Sequence, residues 1–414
     1  MMEQPEVMPA PAGSDRNAAA LLSMPRRKVR PTILHVTADY PDLNKPINTL
    51  AVKNFIDANE EVVHRIISLN RTAVPWRFRV TDGGGQGDPR MVSIRYAGFP
   101  LGVQLATSMY VVARLSHAII KRQGWRFDVI HAHKFTFEGL AAYWLSLWTG
   151  KPLICSLRGE VEEKILRFKP HYAPLYRHVA EHCRRLYYVS AWFRPEMKRR
   201  FGVGPEKERF LPNFVHVPHI VPRAEFRRNA FVSVMSFDDK RKGLDMLLPA
   251  FKQVVARVPD ATLDLIGRGA PERLQHIQSL IDGDGLTGSI RLIGPVEHYE
   301  LLGRLGSYAG LLLPSRNETF GMAYIEALLS GVAILYSSGT GVDGYLDGIQ
   351  GAFGADPYSP DSIRDAILAL ITKQQTAREW LLNNRSDVLA RFDSTRHIAA
   401  YNGDLRELIK NSSI

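Results

Sequence analysis

The chain has 414 residues, with 53 Lys and Arg against 42 Asp and Glu, a formal charge of +11. That length predicts two or three domains, each large enough to bury its own core. A composition of 45% apolar and 23% charged residues excludes global disorder, collagen and coiled coil. Cys155 and Cys183 are the only cysteines, too few for a disulfide framework or a four-cysteine zinc site, and they point to a reducing cytoplasm. The longest apolar runs, 101–113 and 140–148, are too short or too interrupted to span a bilayer. The basic excess lies in residues 1–220, while 221–414 is slightly acidic. One half is therefore expected to meet an anionic partner or surface while the other does different work.

In chain order, residues 1–30 show no sustained period and read as a disordered basic tail. Their apolar piece, 18–24, is too short for a secretory core and precedes its basic residues, which argues against a signal peptide. From Pro31 short apolar runs predict strands at 33–36, 62–68, 92–96, 128–132, 153–156 and 186–190. Helical periods fall at 104–121, 137–148 and 173–182, and a loop at 83–85. This series forms a first Rossmann-like domain, 31–215. A Pro- and Arg-rich linker follows at 216–228. A second series has strands at 231–235, 262–266, 290–293, 310–313 and 333–336, and helices at 243–258, 272–281, 297–305 and 321–329. It forms a second Rossmann-like domain, 229–392. A last helix in 393–414, centred on 397–408, is expected to pack near the domain junction. Alternating strands and helices predict an α/β protein of two facing, doubly wound parallel sheets, with a ligand cleft between their strand carboxyl ends.

The segment richest in chemistry runs from Pro314 to Ala327, where a buried strand ends and a helix opens. Gly321 permits close backbone approach, and the free amides of a first helical turn, Thr319, Phe320, Gly321 and Met322, can hold phosphate or hydroxyl oxygens. Glu318 and Glu326 supply carboxylates, good acceptors for the vicinal hydroxyls of a ribose or hexose. Taken alone, two such glutamates also suit a capping acid and a solvated helix residue. Asp238-Asp239 is explained by a turn, and His/Cys spacing offers no zinc site. Neither domain has a Gly-x-x-x-x-Gly-Lys or Gly-x-Gly-x-x-Gly turn.

Pro314-Ser315, Phe320-Gly321 and Glu326-Ala327, with the two βα series, resemble the retaining glycosyltransferases of family 4 (glycosyl transferases group 1), which have the GT-B fold. The resemblance covers most of 31–405 and is strongest in 225–345. It implies that Lys242, before a helix start, binds the donor diphosphate. It also implies that His133, ending the run Asp128–His133, lies near the transferred sugar through its carbonyl or its imidazole. A histidine capping the next helix is the structural alternative. The chain departs from the family in several places. Phe237 stands where relatives often have arginine, so Lys240 or Arg241 would supply that charge. Arg158-Gly159 replaces His-Gly, and Arg158 would grip a phosphate, an acceptor hydroxyl or a domain-closing partner. Phe214 replaces the glycine of Pro-Asn-Gly. The loop 39–49 lacks the usual glycines, leaving the Asn48 and Thr49 amides for the diphosphate. Residues 339–344 form a nest or a plain turn.

The resemblance implies a hexosyltransferase that uses a UDP- or GDP-sugar, retains anomeric configuration and needs no metal or other cofactor. Glu326 would hold the ribose, Glu318 the hexose, and Lys242 the developing phosphate charge, with His133, Lys242 and Glu318 at the reaction centre. The acceptor expected is a saccharide or lipid-linked saccharide, as in cell-surface polysaccharide or glycolipid synthesis. The basic–apolar segments 164–169 and 198–200 fit either an anionic membrane surface at the cytoplasmic face or a solvated basic face. Nucleic acid is not expected, since aromatic residues interleave with basic ones only at 76–79. The rival readings are an epimerase or phosphorylase on the same fold, and a non-catalytic nucleotide-sugar scaffold.

Overall fold

The apolar runs become the central strands of two parallel sheets in a computed structural model describing residues 30–46, 48–83, 88–99, 103–214, 220 and 222–412. The first sheet contains β1 (Thr32–Thr37), β2 (Val63–Thr72), β3 (Arg79–Asp82), β4 (Met91–Ala97), β5 (Val129–Ala132), β6 (Leu153–Leu157), β7 (Arg185–Tyr188) and β8 (Glu208–Phe210). Their order is β3-β4-β2-β1-β5-β6-β7-β8, with only β3 antiparallel to its neighbour. The second sheet contains β9 (Arg227–Val234), β10 (Thr262–Ile266), β11 (Ile290–Gly294), β12 (Tyr308–Leu312), β13 (Ala333–Ser337) and β14 (Ala352–Ala355). Its order is β11-β10-β9-β12-β13-β14. In both sheets the order reverses beside the first strand, between β1 and β5 and between β9 and β12. Such a switch point opens a crevice at the strand carboxyl ends.

The central strands are buried on both faces. Ile33, Leu34 and Val36 of β1 and Phe231 and Val232 of β9 are fully inaccessible. A continuous apolar run is the signature of a sheet covered by helices on each side. The edge strands β3, β8 and β14 carry no such run, and the sequence does not announce them. β9 starts at Arg227, inside the segment read as linker. Its first amide donates to the Ser307 carbonyl, and the Arg227 guanidinium lies over the Tyr308 ring, 4.5 Å from its centre. The ladder thus extends through two arginines that lack any strand pattern. Residues 1–29, 84–87, 215–219 and 221 lie outside the described residues, and with them the tail and parts of the glycine loop and linker.

The last helix, Ser394–Asn411, returns to the first sheet. Asp404 accepts from Tyr187 Oη at 2.9 Å and pairs with Arg185 at 3.3 Å and Arg209 at 3.1 Å. Asn402 and Asn59 exchange amide hydrogen bonds at 2.9 and 3.0 Å. Tyr401 Oη meets His131 Nδ1 at 2.9 Å. Among the described residues, no helix is long and apolar enough to cross a membrane. Removing one partner of a largely buried charge cluster strands the others. Asp404→Ala should therefore cost about 3 kcal/mol of stability, read as a lowered denaturant midpoint.

Candidate active site

In the second domain two glycines bring the functional loops together. Gly243 has φ +75°, and a Cβ there would stand 2.1 Å from the Pro314 carbonyl oxygen. Without that side chain the turn Lys240–Lys242 lies directly against the loop leaving β12. Gly321 has φ +88°, and a Cβ would meet the Tyr324 ring at 2.4 Å. Both positions admit glycine alone without strain. The helix Met322–Leu329 then begins with its Met322 and Ala323 amides unspent among the described residues, facing the end of β12.

Glu318 is held by its own backbone. Its N–H donates to Thr340 Oγ1 at 3.0 Å, and its carbonyl accepts from Gly341 N–H at 2.8 Å. So the 339–344 segment is a hydrogen-bonded turn that fixes the glutamate. The Glu318 carboxylate meets Lys242 Nζ at 2.7 Å, both side chains being half-buried. Glu326 is 8% exposed, and its Oε1 lies 3.0 Å from His298 Nε2. The Phe320 ring packs against Tyr345 and Phe392 in the core, which leaves only its backbone for a ligand. Phe237 is likewise a core residue, 2% exposed. Arg241 is held by Asp239 at 2.8 Å and reaches Glu160 of the first domain at 3.5 Å.

A second contact crosses between domains nearby. Ser190 Oγ shares its one proton between the carbonyls of Arg158 and Thr319. Arg158 Nε donates to the His133 carbonyl at 3.2 Å and lies 3.7 Å from Asp39. Its partners are thus in its own domain rather than across the cleft, and its two terminal nitrogens have none among the described residues. The His133 carbonyl is already engaged, so the imidazole is the group it offers. In the loop 39–49 the Thr49 N–H is spent on Asn48 Oδ1 at 2.9 Å, and Asn48 Nδ2 on the Ala38 carbonyl at 3.0 Å. Those groups hold the loop itself.

Sequence reading missed a row of buried histidines beside His133. His35 of β1 bonds His133 through Nδ1 and His64 through Nε2, each at 2.9 Å. His64 Nε2 meets the Asn59 carbonyl at 2.8 Å. Ring nitrogens of His35, His131 and His133 approach within 4.8 Å of one another, a spacing that could hold an ion. His131 spends both nitrogens on Tyr401 and Ser156, and His35 both on its histidine neighbours. Both nitrogens of His35 and of His131 are therefore engaged, while His133 keeps Nδ1 without a partner among the described residues. Burial lowers the pKa of His35 and His133 well below the usual value and that of His131 to about 3, so these rings are neutral.

Charge nearby is sorted by partner. Lys134 Nζ is 2.6 Å from Asp39 but 3.8 Å from Glu138. Burial by itself would raise the Asp39 pKa, but Lys134 and Arg158 outweigh it and hold the carboxyl below its usual range. Glu138, fully buried, is pushed up to about 8 by desolvation. Its Oε1 accepts from Ala38 N–H at 2.7 Å while Oε2 has no partner. In the unfolded chain this carboxyl loses its proton near its model value of 4.5. The folded state binds the extra proton between about 4.5 and about 8, so stability falls as pH rises through that window. Glu138→Gln should remove that slope, which urea unfolding at a series of pH values would read directly.

Two facing Rossmann-like domains with helix amides and a lysine gathered at the strand carboxyl ends define a GT-B architecture. The family model for glycosyl transferases group 1 matches residues 228–373, and that for glycosyltransferase family 4 matches 77–217. The chain belongs to the group 1, family 4-like glycosyltransferases. It is 26% identical over 176 residues to a GDP-mannose-dependent phosphatidylinositol monomannoside mannosyltransferase of Corynebacterium glutamicum, covering 38% of this chain and 45% of that one. It is 27% identical over 136 residues to a D-inositol 3-phosphate glycosyltransferase of Corynebacterium jeikeium, covering 31% and 32%. Each match spans less than half of the relative's length. Among solved structures, sucrose-phosphate synthase of Thermosynechococcus elongatus superposes with a TM-score of 0.67 at 18% identity, covering 92% of this chain and 100% of the other. Anabaena HepE in complex with UDP gives 0.63 at 14%, covering 91% and 100%. Both share the fold.

Proposed function

We propose that this protein transfers a hexose from a UDP- or GDP-sugar to a hydroxyl of a saccharide or lipid-linked saccharide, with retention and without a metal. The observation that carries the reading is the Lys242–Glu318 pair at 2.7 Å beside the open start of the helix Met322–Leu329. A cation and directed amides converge where a diphosphate would sit, next to a carboxylate suited to sugar hydroxyls. When the donor enters, Lys242 exchanges Glu318 for phosphate and Glu318 exchanges Lys242 for hydroxyls. Glu326 receives the ribose. The bond from the anomeric carbon to the phosphate oxygen breaks and the bond to the acceptor oxygen forms on the same face. The acceptor proton passes to the leaving phosphate, whose charge Lys242 and the helix amides stabilise.

A cavity of about 500 Å³ at the carboxyl ends of β1, β2 and β4 supports an anionic acceptor. Lys45, Arg71 and Lys169 line it with no ion pair among the described residues, and Tyr96 and Phe137 add aromatic faces. By contrast Lys164 is paired with Glu160, and Arg199 and Arg200 with Glu196. In those segments, which suit either a membrane face or a solvated basic face, Arg167, Lys169 and Lys198 have no ion pair among the described residues. In the cavity the three unpaired cations stand with Lys134 against the single carboxylate of Asp39, an excess of positive charge suited to a phosphate-bearing acceptor.

A thermal-shift panel of nucleotide sugars should show stabilisation by one donor. Lys242→Ala should then lower kcat by about 10²-fold with an unchanged melting temperature; near-normal turnover would overturn the assignment. Glu326→Gln should weaken donor binding and spare the acceptor KM. Donor stabilisation with no transfer to any acceptor would favour the scaffold reading instead.

A further inference from the structure

The four groups Asn59 carbonyl, His64, His35 and His133 form one unbroken file of hydrogen bonds, at 2.8, 2.9 and 2.9 Å. A carbonyl oxygen only accepts, so His64 Nε2 carries a hydrogen and donates. In a neutral ring the other nitrogen, Nδ1, is then a bare acceptor, and His35 Nε2 must donate to it. By the same step His35 Nδ1 accepts from His133 Nε2–H. The only nitrogen left at the end of the file is His133 Nδ1, which carries a lone pair and has no protein partner among the described residues. The His131 ring stacks on His133 at 4.1 Å between centres but spends its nitrogens on Tyr401 and Ser156, so it does not compete.

The two ends of the file reach different surfaces. His133 lines a water-sized cavity of about 20 Å³ with Ser156, Arg158 and Asn213, one hydrogen bond from the Ser190–Thr319 contact between domains. His64 lines a separate cavity with Asp57, Asn59, Glu60, Arg65 and Arg90. The charged groups acting on His64 are Asp57 and Asp88, which favour a proton there, and Arg90, which opposes it. His35 feels His64, His131 and Arg90; His133 feels His131, His35, Arg158 and Lys134. Burial acts on all three rings in the same direction and keeps them neutral.

We propose that His35 and His64 are positioning residues that lock His133 in its Nε2–H tautomer, so that its Nδ1 lone pair accepts a hydrogen bond from a hydroxyl of the sugar held in the cleft. Neither histidine touches substrate; both act through His133. The hydroxyl's part rests on the transferase reading above, whereas the direction of the relay rests on the file of hydrogen bonds alone. A lone pair fixed in this way discriminates: a sugar lacking the hydroxyl leaves a desolvated acceptor unpaired, which is costly in a closed cleft.

The test uses the full chain labelled with ¹⁵N-histidine and a long-range proton–nitrogen correlation spectrum, with His133 assigned by its loss in His133→Asn. The unliganded wild type should show His133 protonated on Nε2 and bare on Nδ1. His64→Gln keeps an oxygen acceptor for His35 Nε2–H and should preserve that tautomer, with donor KM within about threefold of wild type. His64→Leu removes the acceptor, frees the file to reverse, and should raise donor KM about tenfold, the equivalent of one lost hydrogen bond. An Nδ1–H tautomer for His133 in the wild type would overturn the proposal, whether or not the leucine variant folds. A folded His64→Leu protein with an unchanged tautomer and KM would overturn it as well. Failure of every nucleotide sugar to bind would instead remove the transferase reading and the hydroxyl's part, while the unliganded spectrum still decides the relay.

Discussion

The second domain's site depends on one backbone approach that has no room for a side chain. The Gly243 Cα faces the Pro314 carbonyl so closely that even a methyl group would collide. That approach seats the turn carrying Lys242 on the loop carrying Glu318, and it sets the 2.7 Å ion pair. The pair has a further consequence. Lys242 and Glu318 are both half-buried, and each supplies the other's charge partner. A ligand that takes one member of the pair must therefore offer a partner to the other as well.

The first domain solves a different electrostatic problem. Its strand ends gather three neutral histidines, a neutral Glu138, and the charged set Asp39, Lys134 and Arg158. Burial decides which groups stay neutral, and geometry decides which carboxylate is charged: Lys134 is more than an ångström nearer to Asp39 than to Glu138. Arg158 links this set to the domain joint, since its guanidinium holds the His133 carbonyl while its own carbonyl accepts from Ser190. The Thr319 carbonyl is thus linked through Ser190 and Arg158 to the His133 carbonyl by hydrogen bonds. The C-terminal helix completes the arrangement from behind, because Tyr401 occupies His131 and keeps it out of the histidine file.

The central strands and the helices between them were legible because burial on both faces produces continuous apolar runs, as in Leu311–Leu313 and Ala333–Leu335. The edges were not: β8 is three residues, Glu208–Phe210, with no hydrophobic period. The helix Pro360–Asn383 did carry a signal, a Ser359 cap and buried residues at 363, 366, 367 and 370, and could have been read. In the site, Gly321 and the two glutamates were visible because their chemistry lies within one short segment. His35 and His64 were not, since their meaning depends on strand register. His35 pairs with His131 across β1 and β5, and His64 lies one full pleat from the β2 residue opposite His35. A sequence shows that His131 and His133 share a face; it does not show which residue of a distant strand stands beside them.

Net charge is the plainest case of a number that changes meaning once partners are known. The +11 of the chain suggested an anionic surface spread over basic helices. Glu160 pairs with Lys164, and Glu196 with both Arg199 and Arg200, and exposed pairs of that kind contribute little at physiological salt. Asp404 likewise absorbs Arg185 and Arg209 for structural purposes. Lys45, Arg71 and Lys169 have no ion pair among the described residues, and they come from a loop, the end of β2 and the end of a helix to line one concave site. Cations enclosed by low-dielectric walls focus their field into the cavity, whereas the same charges on an open face would be screened within a Debye length. The convergence of these three charges is a property of the fold and not of the net charge.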